Sequence, residues 1–589
     1  MSAQFFQPTD HRIGDRHRSG VSIPGHTPDA GERPGTHISS STTRRTFLRS
    51  GMVAGGAVAL GHVATATATA APRPGRVFAH GVASGDPLPD RVILWTRITP
   101  TDSATPGSGV GPATEVAWEV ATDSGFAAPV AAGRHITTAD ADFTVKVDAT
   151  GLSPDSVYHY RFRVISGPAA GAVSPIGRTR TAPASGADVG KVRFGVVSCA
   201  NWEAGYFGAY RHLAAQPDLT AIVHLGDYLY EYEAGGYTGK TGPVRTHRPR
   251  NEIITLRDYR IRHAQYKTDP DLARLHRAHP WICTWDDHES ANDAWSGGAE
   301  NHQPDEGSWV TRKAASERAY YEWMPVRPGV DANGRHLYRR LRFGRLLELS
   351  MLDLRTYRDR QVSSTSRAID DPARTITGAA QMNWLTHGLV SSETRWRIVG
   401  NPVMITPVVI PPLDPRTTAA LTELLGVPTR GVPYNPDQWD GYTADRRRLL
   451  DAVRRNNIDN VVFITGDIHS SWACDIPAEV ASYPGSGSLA TELVVTSVTS
   501  SNIDDILKVP ANTLGAAVPP AIMTANHHVR WNEFDSHGYA VLTVTPAATQ
   551  MDWYFVDEKA DPKTGQRHAR SFRVPSGSQR VQPVNRPVD

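Results

Sequence analysis

Four apolar runs in this chain each end on side chains that can hold a metal ion. Val192–Val197 leads into Ser198-Cys199, and Ala221–Leu225 leads into Gly226-Asp227-Tyr228-Leu229-Tyr230. Trp281–Trp285 leads into Asp286-Asp287-His288-Glu289, and Asn460–Thr465 leads into Gly466-Asp467-Ile468-His469. Short apolar runs of this length read as buried strands. The carboxyl ends of strands in an α/β sheet are where loops converge on a ligand crevice. A thiolate, carboxylates, a phenolate and imidazoles gathered there are what a multinuclear metal hydrolase needs. Gly-Asp-x-x-Tyr or Gly-Asp-x-His alone is a pattern that chance supplies often. Ordered together at successive strand ends, the four carry far more information.

The elements that must position these residues follow from the wider pattern. At 589 residues, with 40% hydrophobic and 21% charged residues, the chain is globular and long enough for two or three domains. Residues 1–71 read as a twin-arginine signal region. Thr43-Arg44-Arg45-Thr46-Phe47-Leu48-Arg49 precedes the mildly apolar Gly51–Gly61, and Ala68-Thr69-Ala70 resembles a cleavage site. That apolar stretch is about half the roughly 20 residues of a membrane span, so stable membrane insertion is not expected. The expectation is export through the twin-arginine machinery to a secreted or extracytoplasmic location. Cleavage near Ala71 would remove seven Arg, three Asp and one Glu, turning the net +2 into about −1. A near-neutral mature chain gives no electrostatic reason to expect a nucleic-acid partner. Cys199, Cys283 and Cys474 are the only cysteines, an odd number, so at least one is unpaired; Cys283–Cys474 is open as a disulfide.

Residues 73–183 read as short strands: Arg91–Arg97, Glu115–Ala121 and Phe143–Val147 are β-rich or alternate cleanly. Gly151–Pro154 followed by Tyr158–Phe162 suggests a fibronectin type III-like sandwich in which the Tyr158 hydroxyl ties down the turn. From Lys191 strands alternate with helical stretches, the mark of an α/β domain. Glu203–Ala214 and Ser316–Met324 have helical spacing, and Thr255–Tyr266 and Asp271–His276 look like charged surface helices. Ser363–Gly378 and Pro411–Tyr442 read as loops over the site, and the residues after Arg573 as a polar tail. Ala234–Thr241 (AGGYTGKT) imitates a phosphate-binding loop but lacks the flanking strand and helix, so it reads as a mobile loop near the entrance.

The stretches FAHGVASGDP (78–87), HLGDYLYEY (224–232), TWDDHESAND (284–293), LDLRTYRDRQ (352–361), WDGY (439–442) and TGDIHSSW (465–472) resemble PhoD-type alkaline phosphatases of the calcineurin-like metallophosphoesterase superfamily. So do SCANWEAGYFGAYRHLA (198–214) and residues 244–266. The resemblance implies an α/β (α+β) fold: the N-terminal sandwich, then a four-layer α/β/β/α catalytic domain over residues 190–572. It implies hydrolysis of phosphate mono- or diesters, by in-line attack of metal-activated hydroxide, for phosphate scavenging. It equally admits a phospholipase D or a cell-wall-polymer phosphodiesterase. A rival of another class is a non-catalytic surface protein whose metals only hold loops together.

The superfamily's Gly-Asp aspartate bridges two cations, which assigns that role to Asp227. Cys199, Tyr230 and His469 would complete a site suited to Fe3+, and Asp227, Asp287 and Asp467 an all-oxygen site suited to Ca2+, with Mn2+ or Zn2+ as alternatives. Asn401 falls roughly where the superfamily has a further His. Asp286 and Asn292-Asp293 could also reach calcium, and spacing does not choose among them. His288 is the candidate to protonate or stabilise the leaving oxygen. Arg245, Arg355 and Arg358 are candidate phosphate clamps, with surface salt bridging an equal alternative. Standing alone, Cys199 would be a small buried hydrophobe, Asp287 and Asp467 helix caps, and Tyr230 a packed ring.

Overall fold

The computed structural model describes residues 74–332, 334–409, 435–510, 513 and 517–588. The twin-arginine segment and residues 410–434 of the Pro/Gly-rich loop lie outside them.

Two sheets face each other. The ten-stranded sheet runs, edge to edge, Gln582–Val584, Gln566–Pro575, Ala548–Val556, Gly538–Val544, Val192–Val197, Ala221–Leu225, Pro280–Thr284, Val82–Leu88, Arg91–Arg97 and Thr144–Thr150. The seven-stranded sheet runs Arg339–Phe343, Leu347–Met351, Trp396–Asn401, Val461–Thr465, Ser488–Val494, Ser471–Pro477 and Val529–Glu533. One core lies between them, where Phe194, Val196, Val223 and Leu225 meet Leu349, Ile398, Val462 and Ile464. The central strands are apolar on both faces because helices cover the outer sides. Ile222 and Trp281 pack on Tyr210, Leu213, Tyr259 and Leu275, while Val399 and Phe463 pack on Met382, Leu385 and Leu449. The result is the expected α/β/β/α layering.

The sequence boundaries of the central strands hold to within a residue or two, because continuous apolar runs bounded by Gly, Asp and Pro leave little freedom. Three other readings need correction. The helix expected over Glu203–Ala214 is only Gly208–Leu213; the residues before it are a loop wrapped on the site. Leu256–Lys267 is a helix as expected, with Thr255 and Asp258 forming a capping box, but it is not a surface helix. Tyr259, Arg260, Arg262, His263 and Tyr266 are buried in it. Its charged residues hid this, since Arg262 satisfies its guanidinium on the carbonyls of Tyr230, Tyr232, Arg248 and Pro249. The residues after Arg573, expected as a polar tail, instead continue the long sheet: Gln566–Pro575, which ends two residues past Arg573, pairs with Ala548–Val556, and Gln582–Val584 pairs outside it. Edge strands with one wet face have the polar composition that was read as tail.

The N-terminal module is a sandwich of Val82–Leu88, Arg91–Arg97 and Thr144–Thr150 against a sheet of Ala131–Thr137, Thr114–Ala121, Val157–Val164 and Gly177–Arg180, around Leu94, Val145, Val120 and Tyr160. The Tyr158 hydroxyl accepts the Ser153 N–H at 2.9 Å, tying the turn as expected. The module is not a separate bead, however. Ser84 and Gly85 pair in parallel with Pro280 and Trp281, so three of its strands continue the catalytic sheet. Cys283 and Cys474 lie in different sheets, and all three cysteines are buried thiols. Among the described residues no helix is long and apolar enough to cross a membrane.

Candidate metal centre

The strand ends that carry the ligands belong to both sheets, so the site is a crevice between two sheet edges rather than a switch point within one. Val192–Val197, Ala221–Leu225 and Pro280–Thr284 are parallel neighbours in the long sheet, and Val461–Thr465 lies in the other. Each chain turns sharply on leaving its strand. Cys199, Asp227, Asp467 and His469 have φ of 59°, 57°, 63° and 51°, and Asp293 has 52°. Left-handed backbone is uncommon for residues with a Cβ, costs free energy, and clusters at functional sites. The turns are held shut by contacts between loops. Cys199 donates its N–H to the Gly226 carbonyl at 3.1 Å, and Ala200 to the Asp227 carbonyl at 2.9 Å. The Glu289 carboxylate accepts N–H groups from Asp227, Tyr228 and Asp286 at 3.1, 2.7 and 2.9 Å, fastening two of the loops together.

Three groups of ligand atoms result, each within 4.8 Å: Cys199–Asp227–His469, Asp227–Asp287–His288 and Asp287–Asp293–Asp437, all buried. Asp227 belongs to the first two and Asp287 to the last two, so the groups form a chain joined by shared carboxylates. Tyr230 adjoins the first, its hydroxyl 3.1 Å from Asp227 Oδ2 and 3.4 Å from His469 Nε2. Both imidazoles are oriented from behind. His469 Nδ1 faces the Ser501 carbonyl at 2.9 Å, and His288 Nδ1 faces Glu231 at 2.7 Å, which leaves each Nε2 for the centre. Asp227 Oδ1, Asp287 Oδ1 and His288 Nε2 are buried with no hydrogen-bond partner. Buried, unpartnered polar atoms converging on one place are what a cation would satisfy.

Electrostatics agree. Burial, and then Asp287, Asp286 and Glu289 beyond the opposing pull of His288, pushes the Asp227 carboxyl well above its usual range. Burial and then Asp227 push up the Cys199 thiol and the Tyr230 phenol. Burial lowers His469 to about 3, so it is a neutral imidazole ready to donate a lone pair. Acidic groups crowded this closely resist ionising until a cation compensates them. The donor set therefore fits metal ions: sulfur, nitrogen and phenolic oxygen at one end, carboxylates alone at the other.

A family model described as PhoD-like phosphatase matches residues 194–553, and one for its N-terminal domain matches residues 63–183. The chain belongs to the PhoD-like phosphatase family. It is 37% identical over 493 residues to alkaline phosphatase D of Bacillus subtilis (strain 168), spanning 82% of this chain and 78% of that protein. A solved structure of PhoD superposes with a TM-score of 0.77 at 36% identity, covering 87% of this chain and 93% of the other. The chain is thus a phosphoric ester hydrolase.

In this PhoD-like phosphatase the remaining expected residues have the following surroundings. Asp467 is in none of the three groups: Gln438 donates to its Oδ2 at 2.8 Å, and Arg355 lies 3.7 Å from Oδ1. His288 shares a group with Asp227 and Asp287, its Nε2 lying 4.0 Å from Asp287 Oδ1. Asn401 is spent on structure, donating to Val403 O and accepting from Trp439 Nε1 at 3.1 Å. Asn292 donates to Glu300 at 3.0 Å, and its neighbour Asp293 supplies the carboxylate of the third group. Arg245 stacks 3.8 Å above Trp202 and pairs with Asp269 at 2.6 Å, with its other nitrogens on the carbonyls of Trp202 and Gly205; it is no phosphate clamp. Arg358 is buried between Asp437 and the Ala294 carbonyl. Arg355 does reach the centre, bound to Asp286 at 2.5 and 3.0 Å and to Asp437 at 2.8 Å. It balances carboxylates there.

Asp437, Glu231, Glu289 and the Ser500-Ser501 turn were not picked out from sequence. Asp437 sits in the Pro/Gly-rich loop read only as overhanging the site. Glu231 had a faint signal, an acid inside the aromatic run Tyr228–Tyr232. Ser500 donates to the Tyr230 hydroxyl at 2.6 Å and to the Cys199 carbonyl at 2.8 Å, and its polar tract carried no signal.

Proposed function

We propose that the chain is an exported alkaline phosphoesterase whose centre holds a ferric ion at Cys199, Asp227, Tyr230 and His469, a divalent cation that accepts imidazole, such as Mn2+ or Zn2+, at Asp227–Asp287–His288, and calcium at the all-carboxylate Asp287–Asp293–Asp437. The single observation that carries this is the line of three ligand groups joined through Asp227 and Asp287. When bound, the cations neutralise phosphoryl oxygens and lower the pKa of water. The protein's part is to hold them in register: Glu231 fixes the His288 ring, Ser501 the His469 ring, and Ser500 the Tyr230 phenol. Arg355 and Arg358 keep Asp437 ionised, burial notwithstanding. Water then attacks phosphorus opposite the ester oxygen, the new P–O bond forms as the old one breaks, and the alcohol departs with a proton. Hydrolysis outside the cytoplasm would supply phosphate to the cell, and the Arg44-Arg45 leader is what directs it there.

Release of p-nitrophenol from p-nitrophenyl phosphate at alkaline pH, abolished by a chelator and by Asp227→Ala, is the expected result. Activity retained in metal-free protein would overturn the reading. Turnover of mono- against bis-p-nitrophenyl phosphate and phosphatidylcholine ranks the ester classes. A visible phenolate-to-iron absorption that disappears in Tyr230→Phe supports iron, and a colourless active enzyme removes iron while leaving the hydrolase. Replacing Arg44 and Arg45 by Lys should trap the enzyme inside the cell.

A further inference from the structure

Apart from the metal centre, an open cavity of about 670 Å³ lies where the N-terminal module meets the catalytic domain. One wall is a single face of the helix Leu256–Lys267, presenting Arg257, Ile261, Ala264 and Gln265. The opposite wall is the Thr105-Pro106 loop, and His80 and Trp202 also line the space. The two walls are fitted closely. At Gly107, φ +71°, a Cβ would lie 2.7 Å from the Arg257 carbonyl oxygen.

Its lining is one-signed. Arg245, Arg248 and Arg257 face it and no Asp or Glu does. Arg245 is balanced by Asp269, but neither Arg248 nor Arg257 has a carboxylate partner among the described residues. The backbone at Arg248 is held, while its side chain is exposed. Its N–H donates to Gln265 Oε1 at 2.7 Å, Gln265 Nε2 donates to the Thr246 carbonyl at 2.7 Å, and Arg262 holds the Arg248 carbonyl at 3.0 Å. Guanidiniums without a carboxylate partner on one concave surface are the chemistry that recognises a phosphoryl group.

We propose that this cavity is a second anion site, which binds a phosphoryl group through Arg248 and Arg257. It is separate from the centre that performs hydrolysis. The ligand is either free phosphate or the phosphoryl end of an organic ester; the chemistry of recognition is the same.

Calorimetric titration of the metal-loaded enzyme with inorganic phosphate should show two binding events. In Arg248→Ala/Arg257→Ala one should disappear or weaken at least tenfold, while kcat on p-nitrophenyl phosphate and competitive inhibition by phosphate persist, which also certifies folding. Phenylphosphonate binding there as well as phosphate assigns the site to organic phosphoryl groups; phosphate alone assigns it to the free ion. One binding event in the wild type, or two unchanged in the double variant, overturns the proposal.

Discussion

Glu231 donates nothing to a substrate, yet it accepts from Asn292 N–H and Asn301 Nδ2 at 2.7 and 2.8 Å while facing His288 at 2.7 Å. A carboxylate behind a ligating imidazole fixes its tautomer and raises its basicity, and such partners are worth about 10–100-fold in metal affinity. Glu231→Gln is therefore expected to lower affinity at the middle group by that order in a metal titration, with unchanged thermal melting of the metal-free protein. Asp437→Ala removes a ligand from the third group alone. It should lower activity about 10–100-fold and the content of hard cations by one, leaving the metal at Cys199 in place, as elemental analysis would report. Loss of all metals together would show that the groups are not separable. Arg245→Ala should leave KM for p-nitrophenyl phosphate unchanged, because its contacts are with Trp202, Gly205 and Asp269.

At the scale of elements, strand ends are brought together by glycine. A Cβ on Gly226, whose φ is +110°, would lie 2.5 Å from Asp286 Cβ and 2.8 Å from its nitrogen. One on Gly466 would lie 2.7 Å from Ser198 Cβ. Gly226→Ala must either move the loop of Asp227 or that of Asp286, and both carry ligands or their supports. A cost of about 2–4 kcal/mol follows from the steric clash added to left-handed strain. Activity should fall further than melting temperature does, since displacement by about 1 Å suffices to spoil a catalytic geometry. Comparable activity in Gly226→Ala would mean that this turn is slack.

For the molecule as a whole, the unusual buried charge is Lys267. Its Nζ lies 2.9 Å from His276 Nε2 and about 5 Å over the rings of Trp95 and Tyr228 (5.0 and 4.9 Å), and burial lowers it from 10.5 to about 7. Around it His80, His224, His263 and His276 are held below 6.5, first by burial and in part by Lys267. A base whose folded pKa is depressed takes up protons on unfolding. Lys267 thus costs stability in full below about 7, progressively less as pH rises, and nothing above about 10.5. Each pKa unit is worth about 1.4 kcal/mol. The histidines add a loss of stability as pH falls below 6.5. Melting of the metal-loaded enzyme should rise from acid to alkaline pH, and Lys267→Met should melt higher at pH 7 with a flatter slope between 7 and 10. An equal slope in that variant would clear Lys267 of the role.

What the chain alone determined was local. Val192–Val197, Ala221–Leu225 and Val461–Thr465 are buried throughout and bounded by turn formers, so their strands and the candidate ligands just beyond them could be read directly, down to Cys199, Asp227, Tyr230 and His469. Tyr158 and its turn were legible for the same reason. What tertiary structure decided was which of several adjacent acids points inward. Asp286, Asp287, Asp293, Asp437 and Asp467 are chemically alike, and their orientation depends on turns such as φ 52° at Asp293 and on Arg355 capturing Asp286. Whether Arg245 met a phosphate or Asp269, and whether the residues after Arg573 were tail or sheet, likewise depended on partners outside the segment itself. Hydrophobic periodicity records burial along one segment; it does not record the partner across the gap.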